Sequence, residues 1–173
     1  VFIEPIAGVG GLDNGCCFTH AHNGWGGLVE AAGGNNIGSQ LLPGATGTVS
    51  VEKIISLNPD YYLMTGSKRP GKGTAIIPFG YNVAQNDVAS AFNALLARQG
   101  VASIPAVAAG HTGALYHHFY NNPYNIVAIE TLSKIFYPTL FTDLNPQDDY
   151  HAIIRNFTDI PDDNIILSYT PSH

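Results

Sequence analysis

Three short segments of the chain hold much of its unusual chemistry. They span residues 15–25, 66–73 and 117–124. Together they contain both cysteines, the only tryptophan, four of the seven histidines and three of the seven Lys and Arg residues. Each follows a segment with the pattern of a strand, and in an open α/β sheet ligands bind beyond the carboxyl ends of the strands. This concentration predicts a binding cleft built by the three loops.

The first loop contains an H-x-H pair, His20 and His22, followed by Trp25. Imidazoles at this spacing chelate soft or borderline metal ions, so direct metal binding by His20 and His22 is one hypothesis. The alternative is a polar loop whose histidines face water or cap the next helix. Trp25 is either a stacking wall for a ligand or an anchor for that helix.

The second loop places Ser67, Lys68 and Arg69 at the mouth of a strand. Lysine and arginine there suit an anionic ligand, because a guanidinium binds carboxylate or phosphate through two hydrogen bonds. The alternative is ordinary solubilising charge on a surface loop. The spacing of a nucleotide-binding P-loop is not present.

The third loop is rich in imidazole and aromatic groups, including His117, His118, Tyr120 and Tyr124. We expect a strand to run as far as residue 119. Because side chains alternate along a strand, His117 and His118 would then lie on opposite faces. Only one of them would reach a given site, and Tyr120 and Tyr124 would supply contact area.

Strand-like and helix-like patterns alternate along the chain, which predicts an α/β fold. The helix at 123–136 is apolar almost all round, so we expect it to be buried. The predicted strands are 1–7, 60–65 and 114–119, with an edge strand or flap at 165–169, and the predicted helices are 25–32, 51–58, 87–98, 123–136 and 148–157.

Composition and motifs limit the classes of function. The net charge is −6, and the seven Lys and Arg residues form no run, which argues against binding to nucleic acid. No apolar stretch approaches the roughly 20 residues that span a bilayer, and no signal peptide is visible. No G-x-S-x-G or H-E-x-x-H motif occurs, so we predict a binding protein rather than an enzyme. An α/β metal-dependent enzyme is the alternative from another class.

Cys16 and Cys17 are the only cysteines, and they are adjacent. We expect them not to pair with each other, since the eight-membered ring strains the peptide. A bond from one of them to another chain is the alternative, so the cysteines do not define the cellular compartment.

Several ordered motifs resemble those of a known family. They are Ala32-Gly33-Gly34-Asn35-Asn36-Ile37, then Val49-Ser50-Val51-Glu52-Lys53-Ile54, then Asn58-Pro59-Asp60 and, later, the runs 119–125 and 137–141. The series is similar to the "AGG-N-I … VS-E-I … NPD" pattern of periplasmic binding proteins for iron complexes and cobalamin, the class III family of ABC importers. The resemblance covers nearly the whole chain.

The resemblance implies a fold and a position within a larger protein. Members have two α/β lobes joined by a long rigid helix, with the ligand between the lobes. Residues 1–173 correspond to the C-terminal lobe alone, a three-layer Rossmann-like unit with a central, mostly parallel sheet. The N-terminal lobe and linking helix have no counterpart in this chain, so we expect a fragment that self-associates through the surface that its other half would cover.

The resemblance also implies a ligand, partners and a location. We expect an iron(III)-siderophore-like complex to bind against Trp25, Tyr120 and Tyr124, with charge neutralised by Lys68 and Arg69, and no intrinsic cofactor. Metal ion or haem binding by His20, His22 or His117 is the alternative. Glu52 matches the glutamate that docks on the membrane permease, although a carboxylate in a first helical turn is also favoured by the helix dipole. The expected location is the periplasm, free or as a lipoprotein.

Overall fold

The computed structural model describes residues 1–13, 16–69, 75–161 and 163–171. Its elements in chain order are β1 (Phe2–Glu4), β2 (Phe18–His20), α1 (Gly24–Ala31), α2 (Gly38–Leu41), β3 (Thr46–Thr48), α3 (Val51–Leu57), β4 (Tyr62–Gly66), β5 (Gly80–Tyr81), α4 (Gln85–Leu96), α5 (Pro105–Ala108), β6 (Thr112–Tyr116), α6 (Ile126–Phe136), α7 (Pro146–Phe157), β7 (Ile165–Ile166) and β8 (Ser168–Tyr169). Short 3₁₀ turns cover Val101–Ser103 and His117–Asn121.

A four-stranded sheet in the order β1-β4-β6-β8 forms the centre of the fold. The first three strands are parallel, with Phe2 opposite Tyr62 and Tyr62 opposite Thr112. β8 joins the edge in the antiparallel direction. Two antiparallel pairs, β2 with β3 and β5 with β7, lie outside this sheet. The predicted mostly parallel sheet is confirmed, and so is the predicted edge strand in the tail.

Apolar side chains cover both faces of the sheet. Strand alternation sends Phe2 and Met64 to one face and Ile3 and Leu63 to the other. On the first face they pack against α3 and α4, and on the second against α1, α6 and α7. The layers are therefore helix, sheet and helix, which confirms the predicted three-layer Rossmann-like architecture.

A buried ion pair links the end of β1 to the end of α4. The Arg98 guanidinium donates two hydrogen bonds, of 2.9 and 2.6 Å, to the two carboxylate oxygens of Glu4. The Tyr62 hydroxyl donates to the same carboxylate, and burial raises the pKa of Tyr62 well above its ordinary value. Tyr62 therefore remains a neutral donor. Removal of one partner from such a pair costs about 3–5 kcal/mol, because a buried charge is left alone.

Two predicted strand ends are wrong, and each has a local cause. β1 ends at Glu4 rather than at residue 7, because Pro5 has no N–H to donate and Ile6 adopts a φ of 49°. β6 ends at Tyr116 rather than at residue 119, since the chain turns into a 3₁₀ helix at His117. The predicted alternation of His117 and His118 across a strand therefore does not occur.

The helix predicted at 123–136 begins later and is less buried than expected. The Asn122 Oδ1 accepts a hydrogen bond of 3.1 Å from the Tyr124 N–H. This contact closes a turn ahead of the helix, which begins at Ile126. Ile126 is exposed, so α6 buries one face and presents the other to solvent.

Other elements follow the sequence more closely. Ser50 caps α3 as predicted, accepting a hydrogen bond from the Lys53 N–H. The strands β2 and β3 and the short helices α2 and α5 were not predicted. The side chains of Cys16 and Cys17 lie against each other, and the expectation that the two do not pair stays a prediction. Within the described parts of the chain, the helices are all too short or too polar to cross a bilayer.

The carboxyl groups of Glu130 on α6 and Asp149 on α7 predict a pH-dependent stability. Burial, together with the charge and a hydrogen bond of Asp149, raises the pKa of Glu130 above its ordinary value of 4.5. The folded chain therefore binds this proton more tightly than the unfolded chain, and stability falls as the pH rises from 4.5 through the raised pKa. We expect Glu130→Gln to melt above wild type at pH 7, by no more than about 2–4 °C, and to lose the difference at pH 4.

Thermal melts followed by circular dichroism at both pH values test this expectation. Asp143→Asn, the same loss of charge at an exposed residue outside the helices, is the matched control and should leave the melting temperature unchanged. A Glu130→Gln protein that melts below wild type at pH 7 contradicts the assignment.

Candidate functional site

Hydrogen bonds connect the segments that follow the three parallel strands. The Thr65 Oγ1, at the end of β4, accepts from the Ile6 N–H after β1 at 2.9 Å. The same oxygen lies 2.8 Å from the Nδ1 of His117, which follows β6. The His117 carbonyl in turn accepts from the Trp25 Nε1–H at 3.1 Å. The predicted convergence of the first and third loops at the carboxyl edge of the sheet is therefore present.

His117 is buried and neutral. Burial, followed by the nearby charges of His118, Arg69 and His20, lowers its pKa to about 3. Thr65 Oγ1 accepts from the Ile6 N–H and shares a second hydrogen bond with His117 Nδ1, whose direction depends on the tautomer of the ring. His117 is therefore a neutral imidazole with its Nδ1 engaged.

The tautomer of His20 is set by its contact with the start of α1. Its Nδ1 accepts a hydrogen bond of 3.1 Å from the Trp25 backbone N–H at the start of α1, and burial lowers its pKa. The remaining proton is on Nε2. Gly24 makes this contact possible, because it has a φ of 51° and a Cβ there would lie 2.5 Å from His20 Nδ1.

The two histidines of the H-x-H pair have separate surroundings. His20 is buried, whereas His22 is exposed, with its Nδ1 2.9 Å from a Glu30 carboxylate oxygen. The Ser39 hydroxyl donates to the same carboxylate at 2.7 Å. Among the described residues, neither histidine belongs to a cluster of three or more metal-ligating side chains. The geometry gives the chelation hypothesis no support.

Trp25 anchors helix α1 in the core and does not line a ligand surface. Its side chain is completely buried in the core shared by α1 and α6, and its indole N–H is bonded to His117. A ligand therefore has no access to its ring, and the stacking role predicted for Trp25 is wrong. The alternative from the sequence, an anchor for α1, describes its position.

Aromatic contact area comes instead from tyrosines of the third loop. The half-buried Tyr120 ring lies 4.9 Å from His117 and 5.9 Å from His20, measured between centroids. Tyr124 lies beside this group and packs edge-on against Tyr150 at 5.6 Å.

Sequence reasoning missed further members of this aromatic group. Tyr116 ends β6 and packs 5.3 Å from His118. The Tyr81 and Tyr150 hydroxyls lie 2.9 Å apart. Tyr116 directly precedes the third loop, so the sequence could have indicated that it belongs to this group. Tyr81 and Tyr150 come from distant segments, and no sequence pattern indicates that they meet.

The second loop contributes one cation to the same region. The exposed Arg69 lies close enough to His117 for its charge to lower the pKa of that imidazole. The Lys68 Nζ instead donates to the Asn82 carbonyl at 3.1 Å. Ser67 is buried, and its hydroxyl has no hydrogen-bond partner within the described ranges. Lys72 lies outside the described residues.

Glu52 lies apart from this cluster, exposed in the first turn of α3. Its position suits a surface contact and equally suits the helix dipole.

Comparisons with known proteins identify the fold. No protein-family model and no curated protein sequence matches the chain. Among solved structures, a TroA-like periplasmic binding protein, FepB from Veillonella parvula, aligns over 99% of this chain with a TM-score of 0.87 and 20% identity. The chain has the lobe fold of TroA-like periplasmic binding proteins. It spans 48% of the FepB chain.

Two further structures share the lobe fold at lower similarity. CeuE from Helicobacter pylori, solved as a Ni-His complex, aligns over 91% of this chain and 45% of its own, with a TM-score of 0.60 and 16% identity. A periplasmic haem-binding protein from Pseudomonas aeruginosa aligns over 79% and 41%, with a TM-score of 0.53 and 18% identity. The lobe is thus about half the length of the structures that it matches.

Two cavities lie at opposite edges of the lobe. A cavity of about 600 Å³ is at the amino-terminal edge, where Tyr61 and His111 precede β4 and β6. A smaller one of about 370 Å³ is at the carboxyl edge and includes Glu4 and Arg98. We assign the candidate site to the carboxyl edge, because the loop histidines and Tyr120 lie there, although the larger cavity does not.

The two loop histidines of the lobe predict a contrast in stability. His20→Ala leaves the buried Trp25 N–H without an acceptor, which costs about 1–3 kcal/mol. His22→Ala removes only an exposed ion pair, worth about 0–1 kcal/mol. We expect His20→Ala to lower the free energy of unfolding clearly more than His22→Ala in urea titrations. Equal losses would contradict the structural role given to His20.

Proposed function

We propose that the chain is the C-terminal lobe of a periplasmic solute-binding protein that delivers a metal complex to an ABC importer. The fold supports a binding lobe, and the half-length alignments support a second lobe facing this one. The ordered motifs around Gly33, Ser50 and Pro59 support the C-terminal position. On this proposal, the carboxyl edge of the sheet is one wall of the ligand cleft, and the chain binds without catalysing a reaction.

The ligand is proposed to be anionic and rich in oxygen acceptors. The observation that carries this proposal is the state of His20 and His117. Each is a neutral imidazole with its Nδ1 engaged, and the contact of His20 with the Trp25 N–H leaves the His20 proton on Nε2 as a donor. Arg69 adds a positive charge near His117. Donors without a lone pair to share suit the outer oxygens of an iron(III)-siderophore-like complex.

The aromatic side chains support a bulky ligand. Tyr120 lies against both imidazoles, and Tyr116 and Tyr124 extend the surface beside it. Tyrosine combines a large apolar ring with a polar hydroxyl, which suits the organic part of a chelate. Trp25 does not contact the ligand on this proposal. Its indole N–H donates to the His117 carbonyl and so helps to position His117.

Direct coordination of a metal ion or haem iron is the second candidate. The solved relatives include a haem-binding protein and a Ni-His complex, which are properties of those proteins. For this chain, coordination through His20 or His117 requires a free imidazole lone pair. Because the Nδ1 atoms of both rings are hydrogen-bonded and the Nε2 of His20 is protonated, these hydrogen bonds would have to change first. We therefore rank coordination below recognition of a preformed complex.

Ligand binding to the complete product of the gene tests the proposal. We expect ferric enterobactin, an anionic iron(III) complex, to bind and to change the intrinsic fluorescence of the protein, whereas free Ni²⁺ should not. Arg69→Glu should weaken binding by about tenfold or more, since a hydrogen bond to a charged group contributes about 1.5–3 kcal/mol.

Lys53→Glu, the same charge reversal at an exposed position of α3, is the matched control and should keep the affinity of wild type. Equal effects of the two reversals would contradict a cleft at Arg69. Tight binding of free Ni²⁺ that disappears in a His20→Ala, His22→Ala double variant would favour the second candidate.

Glu52 is proposed to dock on the importer's permease. It is exposed at the start of α3 and lies apart from the ligand cluster. Glu52→Lys should therefore reduce uptake of the ferric complex by cells while leaving the affinity of the purified protein unchanged. A fall in ligand affinity would show that the assignment of Glu52 to docking is wrong.

A further inference from the structure

The cavity of about 600 Å³ at the amino-terminal edge of the sheet has no part in the proposed cleft. It lies between one face of α6, the start of α7 and the tail around β8, and the loops before β4 and β6 form its remaining side. Small-molecule sites in proteins have volumes of roughly 300–1,000 Å³. The cavity is therefore large enough for a ligand of its own.

The interior of this cavity is largely apolar. Val127 on α6 and Leu167 beside β8 line it and are almost completely buried, and the half-buried Ile135 lies beside them. The Tyr61 ring forms a further wall and packs 5.6 Å from the His111 ring, measured between centroids. Water in such a space finds few hydrogen-bond partners, so its replacement by an apolar group is favourable.

One cation borders this apolar space. Lys134 lines the cavity from α6, and its ammonium donates a hydrogen bond to the Leu144 carbonyl. Asn145, which follows Leu144, also lines the cavity, so this bond places the ammonium at the edge of the space. An ammonium has three N–H donors, and the bond to Leu144 uses one of them. Among the described residues, Lys134 takes part in no ion pair. Its charge is therefore available to an anionic group.

Other polar side chains around the cavity are already satisfied within the protein. The Thr131 hydroxyl donates to the Val127 carbonyl at 2.7 Å, and the Gln147 Nε2 lies 2.8 Å from the His151 Nε2. The His111 Nδ1–H donates to the Asp60 carbonyl at 3.2 Å. These bonds hold the walls in place before a ligand arrives, which lowers the cost of ordering them. They leave Lys134 as the group that selects the ligand by charge.

We propose that this cavity binds a small carboxylic acid with a long apolar body, of the fatty-acid type. The body lies against Val127, Ile135 and Leu167, and the carboxylate accepts a charge-assisted hydrogen bond from Lys134. A single anionic group on an apolar body matches a cavity that has a single such cation at its edge. The site is at the opposite edge of the sheet from His20, so it does not depend on the proposed cleft function.

Calorimetric titration of the complete product of the gene with decanoate tests the proposal. One decanoate should bind per chain, and octanoate, which is two methylene groups shorter, should bind about tenfold more weakly. Ferric enterobactin should not displace decanoate, since the two sites lie at opposite edges of the sheet. Absence of decanoate binding, binding of many molecules per chain, or displacement by the ferric complex would overturn the proposal.

Variants test the carboxylate contact and the apolar contact separately. Lys134→Met should weaken decanoate binding by about tenfold or more and leave the affinity for uncharged 1-decanol unchanged. Lys53→Met, the same change at an exposed position of α3, is the matched control and should keep wild-type affinity for both ligands. Thr131→Phe places a ring in the cavity and should weaken binding of both.

Circular dichroism of each variant checks its fold. Equal losses of decanoate and 1-decanol affinity in folded Lys134→Met would contradict the contact with the carboxylate. Wild-type affinity for both ligands in folded Thr131→Phe would show that they bind elsewhere.

Discussion

The Thr65 hydroxyl joins the ends of all three parallel strands. It receives the Ile6 N–H after β1 and contacts the His117 imidazole after β6. Through the His117 carbonyl, the same chain of hydrogen bonds reaches Trp25 and so fixes the start of α1. Because the polar atoms along this path are hydrogen-bonded to one another, these bonds offset the cost of burying them. The Thr65 hydroxyl thus ties the segments that follow β1 and β6 to the end of β4.

Two ways of burying polar groups occur side by side at this edge. Around Thr65 the groups are neutral, since burial lowers the pKa values of His117 and His20 and removes their charge near physiological pH. At the end of β1 the charges persist, because Arg98 and Glu4 are paired in a bidentate contact. The neutral region suits hydrogen bonding to an acceptor from outside. In the charged region, the Glu4 carboxylate and the Arg98 guanidinium satisfy each other, so this pair stabilises the fold.

The half-length alignments give this arrangement a context. The chain matches about half the length of several periplasmic binding proteins. On the proposed function, the carboxyl edge is one wall of a cleft whose other wall belongs to a second lobe. The larger cavity lies at the opposite, amino-terminal edge of the sheet, so it is not part of that wall.

The sequence by itself determined the class of fold and the edge that carries the site. Alternating strand and helix patterns predicted the layers, and the cap at Ser50 and the buried strand before Gly66 were local signals that depend on neighbouring residues alone. The positions of the histidines and aromatic residues after strands predicted that their loops meet, because chain direction in a parallel sheet dictates where those loops lie.

Only the tertiary structure decided what each side chain does there. Trp25 became an anchor because its indole meets a carbonyl 92 residues away, and His20 and His22 separated because one is buried under Tyr120 while the other meets Glu30. The contact of His117 with Thr65, the contact of Glu4 with Arg98, and the Tyr81–Tyr150 pair all join distant segments. Sequence patterns record local periodicity, whereas these roles arise from long-range contacts in the folded chain.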